Sequence, residues 1–397
     1  MKLTERINSI KPSPTLAITM KANALRAQGR DIIGFGAGEP DFDTPDPVKK
    51  AAIRAIDEGF TKYTPVGGID ELKDAIIGKL QRDNQLTYTR AQIVVSCGAK
   101  HTLYNLAQVL FEKGDEVIIP SPYWVSYPDI VLLTGAKPVV LQTSVSEGFK
   151  IQPAQLDAAI GAKTRAVIIN SPSNPSGVAY TAAELQELAD VMARKGVLVI
   201  SDDIYEKILY DGMPFVNVPV VCPAMKGLTV VVNGLSKSHA MTGWRIGYAA
   251  GPEEIIAAMT KLQSQNTSNP NSIAQKASVE ALNGDQGVVT AMVMEFEKRR
   301  NVIVEKLNAI PEITCMIPQG AFYVFPSIAG LRGRKYGGRS LLTSADLAGY
   351  LLDEANVAVI PGGEFGHDDH IRLSYATSMA KIEEGLHRIR EAIMKLE

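Results

Sequence analysis

Residues 228–252 read LTVVVNGLSKSHAMTGWRIGYAAGP: an apolar run, a turn of small and polar residues, then a second apolar run. The first run is β-branched, and so are QIVVS (92–96), GDEVIIP (114–120), TRAVIINSP (164–172) and GVLVISDD (196–203), each bounded by turn residues. Between several of them lie helical stretches. AKHTLYNLAQVLFEKG carries Leu103, Leu106, Val109 and Leu110 at helical spacing, and TAAELQELADVMARKG (181–196) has the same period. Strands without a polar face, alternating with helices, predict an α/β fold whose mostly parallel central sheet is covered on both sides.

Beyond about residue 285 the texture changes. MVMEFEKRRNVIVEKLNAI predicts one long amphipathic helix, followed by a shorter α+β unit containing GAFYVFPSI, HIRLSYAT and a last helix, MAKIEEGLHRIREAIMKLE. The expected organisation is a large domain over 46–285 and a smaller one built from 1–45 with 286–397, the N-terminal segment serving as a lid.

Bulk composition removes several function classes. Lys plus Arg is 41 against Asp plus Glu 43, so no global field attracts nucleic acid or an anionic membrane. Cys97, Cys222 and Cys315 form no C-x-x-C pair, which disfavours a disulfide framework or zinc ribbon and suits a reducing compartment. MKLTERINSIKPSPTLAITMKAN has no apolar core of a signal peptide, and no apolar run reaches membrane-spanning length. The expectation is a cytoplasmic protein without nucleic-acid or membrane partners.

The chemistry gathers just after strands, where ligands bind in a parallel α/β sheet. Gly98, Asn174, Asp202 and Lys237 each follow such a run. Singly, each has a bland reading as a turn cap or a solvated lysine; together they form a pattern. A partly desolvated lysine can form a Schiff base with a carbonyl. Pyridoxal phosphate needs that lysine, a carboxylate against its pyridinium nitrogen and a phosphate site. Lys237 and Asp202 supply the first two, while Tyr205 and Asn174 can donate to the ring oxygen. CGAKHT, opening a helix, offers backbone N–H groups and a dipole to a dianion, and Arg245 adds a charge.

SPSNPSG, SDDIYE and the 233–252 stretch resemble fold-type I pyridoxal-phosphate aminotransferases of class I. AGEPDFDTP, KYTPVGG, SPYWVSYP and HIRLSYATS extend the resemblance over essentially the whole chain. It is closest to the bacterial-type aspartate aminotransferase subgroup, some members of which also transaminate prephenate. The resemblance implies that Lys237 binds pyridoxal 5'-phosphate and shuttles the substrate proton, with Asp202, Asn174 and Tyr205 holding the ring and Trp124 stacked on it. It assigns the phosphate to Gly98, Ala99, Lys100, Ser236 and Arg245, with Tyr63 arriving from the neighbouring subunit of a homodimer. Arg372 would clamp the α-carboxylate, helped by Gly38; without the resemblance it reads as an edge-strand arginine. One departure stands out: Gly234 occupies the place of a family serine or threonine. His239 is read as a packed side chain.

A dicarboxylate substrate needs a second cation, for which Lys11 and Lys100 are candidates, with Thr15 nearby. The expected activity is transfer of the amino group of aspartate or glutamate to a 2-oxo acid such as 2-oxoglutarate, extending to prephenate. The alternatives are an alanine or aromatic aminotransferase, or a pyridoxal-phosphate Cβ lyase sharing Lys237 and Asp202. A ligand-sensing regulator would need a helix-turn-helix for which there is no room. GHDDH (366–370) is not read as a metal site.

Overall fold

The computed structural model describes residues 2–12 and 14–397. Its centre is a seven-stranded sheet of β1 (Ile93–Ser96), β2 (Glu116–Pro120), β3 (Lys137–Leu141), β4 (Thr164–Asn170), β5 (Leu198–Asp202), β6 (Thr229–Gly234) and β7 (Gly247–Ala250). In space they run β1-β7-β6-β5-β4-β2-β3, with β7 antiparallel to both neighbours and every other pair parallel. β1, β6 and β7 are buried at every position. Each fully buried Val or Ile contributes roughly 1.5–3 kcal/mol, enough to explain why these runs form central strands. β3, KPVVL, is absent from the runs recognised in the sequence. It is an edge strand that opens on an exposed lysine and a proline, so its pattern is weak.

Helices cover both faces. α1 (Asp70–Asn84), α2 (Ala99–Leu110), α3 (Ser126–Leu132), α4 (Ala182–Lys195) and α5 (Ser272–Asn283) surround the sheet. α4 starts where the sequence signals it: Thr181 and Glu184 form a reciprocal capping box, and Gly196 ends the helix in the left-handed region at φ 64°. α6 (Gly287–Asn308) is the long amphipathic helix. It packs on a second core that includes a three-stranded antiparallel sheet of β8 (Tyr323–Val324), β9 (Ile360–Pro361) and β10 (Ile371–Ser374), closed by α7 (Met379–Ile393). That core also takes in Tyr205, Ile208 and Tyr210, from the segment after β5. β10 lies between β9 and β8, so Arg372 sits on a central strand, only 2% exposed. The edge-strand reading of Arg372 is therefore corrected.

Sheet topology positions the site. β4, β5 and β6 are neighbours and parallel, so Asn174, Asp202 and Lys237 emerge side by side at their carboxyl ends. β7 runs the other way, with Gly247 opposite both Gly234 and Ser96. Its beginning therefore lies at the same edge, which brings Arg245 beside Gly98. Gly234 is a packing requirement: a Cβ there would lie 2.9 Å from the Ile246 carbonyl oxygen and 3.2 Å from Gly247 Cα. The family's hydroxyl has no room at that position.

Candidate active site

These strand ends open into a cavity of about 270 Å³. Lys237, Asp202, Asn174, Tyr205, Arg245 and Arg372 all line it, as do Gly38, Ala99, Lys100, Trp124 and Ser236. Gly98 stands directly behind Arg245. Tyr63 and Lys11 do not line the cavity; Tyr63 is 90% exposed on the surface. The side chain of Thr15 lies outside the described residues.

Lys237 donates to the Gly38 carbonyl at 2.5 Å. Burial lowers its amine from the ordinary 10.5 to about 8, with Glu39 and Asp202 pulling it up and Arg245 and Arg372 pushing it down. Asp202 is pushed up to about 6 by burial, against which the Tyr127 hydroxyl (2.6 Å), the Ile204 N–H (3.3 Å) and the Lys237 charge hold it down. At neutral pH this leaves a mostly ionised carboxylate facing an amine that exchanges its proton readily.

Two cations lack anions. Among the described residues neither Arg245 nor Arg372 pairs with a carboxylate. Arg245 donates Nη1 to the Thr242 carbonyl at 2.9 Å, and its own backbone is left-handed at φ 55°. Its guanidinium lies against Gly98, the N-cap of α2, where φ is 94° and a Cβ would approach Nη2 to 2.3 Å. Only glycine serves there. Arg372 donates Nη1 to Asn174 Oδ1 (3.0 Å) and Nη2 to the Gly36 carbonyl (2.8 Å), and stacks over Tyr323 at 4.6 Å. Its Nε is buried with no partner among the described residues. A buried, unsatisfied guanidinium N–H costs about 1–3 kcal/mol, a cost that an incoming anion removes.

At the cavity mouth Lys100 Nζ lies 4.8 Å from the Trp124 ring centre. Asp129, on α3 beyond Trp124, has its carboxyl raised by burial, while the Lys11 backbone N–H and the charges of Lys11 and Lys100 draw it down. Lys11 is thus placed beside Asp129 rather than on the cavity wall.

Three polar lining side chains were not singled out from the sequence. Tyr127 binds Asp202; Asn170 donates to the Asp202 backbone carbonyl (2.9 Å) and accepts from the Asn174 N–H (3.0 Å). The Tyr323 hydroxyl meets that of Tyr205 at 2.9 Å. Tyr127 carried a signal, since it follows Trp124 by three residues, in the first turn of α3, and both line the cavity. Tyr323 carried none, because GAFYVF reads as plain core. His239 is buried, bonded through Nδ1 to Ser238 Oγ at 2.8 Å, and lies off the cavity wall.

The family described as aminotransferase class I and II matches residues 30–389. An aspartate aminotransferase of Geobacillus stearothermophilus is 53% identical, covering 99% of this chain and 100% of that protein. An aspartate/prephenate aminotransferase of Nitrosomonas europaea is 51% identical over 98% of this chain and 99% of that one. Among solved structures, the aspartate aminotransferase of Rhizobium meliloti superposes with a TM-score of 0.97 at 48% identity, covering 100% of both chains. The Thermus thermophilus enzyme with maleate gives 0.92 at 41% identity, covering 99% of this chain and 100% of that one.

Proposed function

The chain belongs to the class I and II aminotransferases, and we propose that it moves the amino group of aspartate or glutamate onto a 2-oxo acid such as 2-oxoglutarate, with prephenate as a further substrate. The observation that carries the proposal is the pair of arginines without counter-ions among the described residues, Arg245 and Arg372, at one cavity that also holds Lys237 and Asp202. It demands a ligand set with a strong anion near Gly98 and a carboxylate near Arg372.

The family implies pyridoxal 5'-phosphate, and the residues fit it. The glycine-only cradle at Gly98, against the start of α2 and Arg245, suits a phosphate. Ala99, Lys100 and Ser236 complete that end. When bound, the cofactor supplies an electron-withdrawing ring that accepts the electron pair left at the substrate α-carbon. Asp202, backed by Tyr127, would keep a negative charge against the ring nitrogen; Asn174 and Tyr205 would serve the ring oxygen, and Trp124 would cover one face. Lys237 would hold the cofactor and, once freed by substrate, would take the α-proton on Nζ and pass it to the cofactor's aldehyde carbon, a task suited to an amine with a pKa of about 8.

Arg372 binds the substrate α-carboxylate, oriented by Asn174 and Gly36 and pre-organised by the Tyr323 face. Lys100 is the favoured cation for a second carboxylate, with Lys11 closing over it. The dicarboxylate maleate in the Thermus thermophilus structure supports that substrate class. The division into 46–285 and 1–45 with 286–397 is proposed as two bodies meeting at this cavity. The exposed Tyr63 fits a homodimer in which it reaches the partner's phosphate site. The test is amino transfer by the cofactor-loaded protein. Glutamate formed from aspartate and 2-oxoglutarate, faster than from alanine or phenylalanine, supports the reading, and the reverse ranking refutes the substrate class.

A further inference from the structure

Directly beneath the turn that carries Asp202 and Tyr205 lies a buried polar triad that no step above uses. Lys79 and Asn84 belong to the last turns of α1, and Glu206 follows Tyr205; they are 3%, 5% and 7% exposed. Lys79 Nζ pairs with Glu206 Oε1 and donates to Asn84 Oδ1 at 2.6 Å, and Asn84 Nδ2 donates to Glu206 Oε2 at 2.8 Å, closing a ring. One residue on each side, Asp83 and Lys207 repeat the link at 2.8 Å. The neighbouring Asp203 is tied separately, accepting from Ser201 Oγ (2.6 Å) and Asn217 Nδ2 (3.1 Å). Its carboxyl is driven well up by burial, and the carboxylate in contact with Lys79 is that of Glu206.

A buried ion pair contributes little stability compared with apolar side chains of the same size. What it does do is tie α1 to the turn after β5. Along the turn Asp202, Ile204 and Tyr205 line the cavity, whereas the buried Asp203 and Glu206 do not. Fixing Glu206 fixes the backbone that presents Tyr205. We infer that Lys79, Asn84 and Glu206 are positioning residues for the cofactor ring, a clamp by which α1 holds the Asp202–Tyr205 turn at the angle the ring requires. The inference rests on the reading of Asp202 and Tyr205 as ring-holding groups.

The test separates stability from positioning. The triple variant K79M/N84L/E206M replaces the ring by apolar side chains and leaves no partner unpaired, so the melting temperature of the cofactor-free protein should stay level or rise. The dissociation constant for pyridoxal phosphate should nevertheless increase about tenfold, the lower end of what losing a supporting contact costs a bound group. A folded triple variant with wild-type cofactor affinity overturns the clamp. If the triple variant does not fold, E206Q decides: its folded fraction should bind the cofactor severalfold more weakly, and wild-type affinity again overturns the inference. D202N is the control for the site itself. Undiminished affinity in D202N defeats the ring-holding assignment, whereas a weakened D202N beside an unaffected clamp variant defeats the clamp alone.

Discussion

Replacing Lys237 by methionine should make the cofactor-free protein more stable at neutral pH and less stable in alkali. Burial, with Arg245 and Arg372 nearby, lowers the amine from 10.5 to about 8 despite the opposing pull of Glu39 and Asp202. The folded chain therefore binds this proton more weakly than the unfolded chain does. Between about pH 8 and pH 10.5 the unfolded state holds more protons, and stability rises with pH across that window. Below pH 8 the whole penalty is present, and the drop from 10.5 to about 8 corresponds to roughly 3 kcal/mol. Methionine keeps the aliphatic length without the charge, but it strands the Gly38 carbonyl that Lys237 now satisfies, which costs about 1 kcal/mol. Lys237→Met should thus gain about 2 kcal/mol at neutral pH and lose about 1 kcal/mol once the lysine is neutral in both states. Urea denaturation of the two proteins, without cofactor, across the alkaline range reads this directly. A variant less stable at neutral pH, or a difference that ignores pH, refutes the idea that the lysine is held against its own solvation.

Four further outcomes follow from the site. Arg372→Lys keeps the charge but not the two-pronged donor; KM for aspartate should rise roughly 10- to 100-fold, measured by steady-state kinetics, with cofactor affinity unchanged. Gly98→Ala forces a Cβ to within 2.3 Å of Arg245 Nη2 in a left-handed backbone, and should weaken pyridoxal phosphate about tenfold or more in an equilibrium titration. Lys100→Ala should raise KM for aspartate about tenfold while sparing alanine, and Lys11→Ala should show the same sign with a smaller effect; equal losses for both substrates would contradict the second-carboxylate role.

Much of this was legible in the sequence because the relevant signals are local. Apolar runs of β-branched residues ending in turn chemistry gave the strands, and polar residues after them gave Asn174, Asp202 and Lys237. Arg372 was picked out only through family resemblance, and its place on the cavity wall was not announced by local pattern; its burial comes from β10 lying between β9 and β8, a pairing that two-residue strands cannot announce. Gly234 looked like a missing hydroxyl until the backbone of Ile246 and Gly247 proved to occupy that space. Lys79 is the sharpest case. Nothing in the sequence singles it out, and only the meeting of α1 with the turn after β5, far apart in the chain, buries it against Glu206.

The central claim is that Lys237 carries pyridoxal phosphate. It is tested most directly by loading the protein with the cofactor, reducing it with borohydride and locating the added mass by peptide mass spectrometry. The mass should appear on the peptide containing Lys237, and prior incubation with aspartate should abolish it. Label on Lys100 or another lysine, or no label at all, would contradict the assignment.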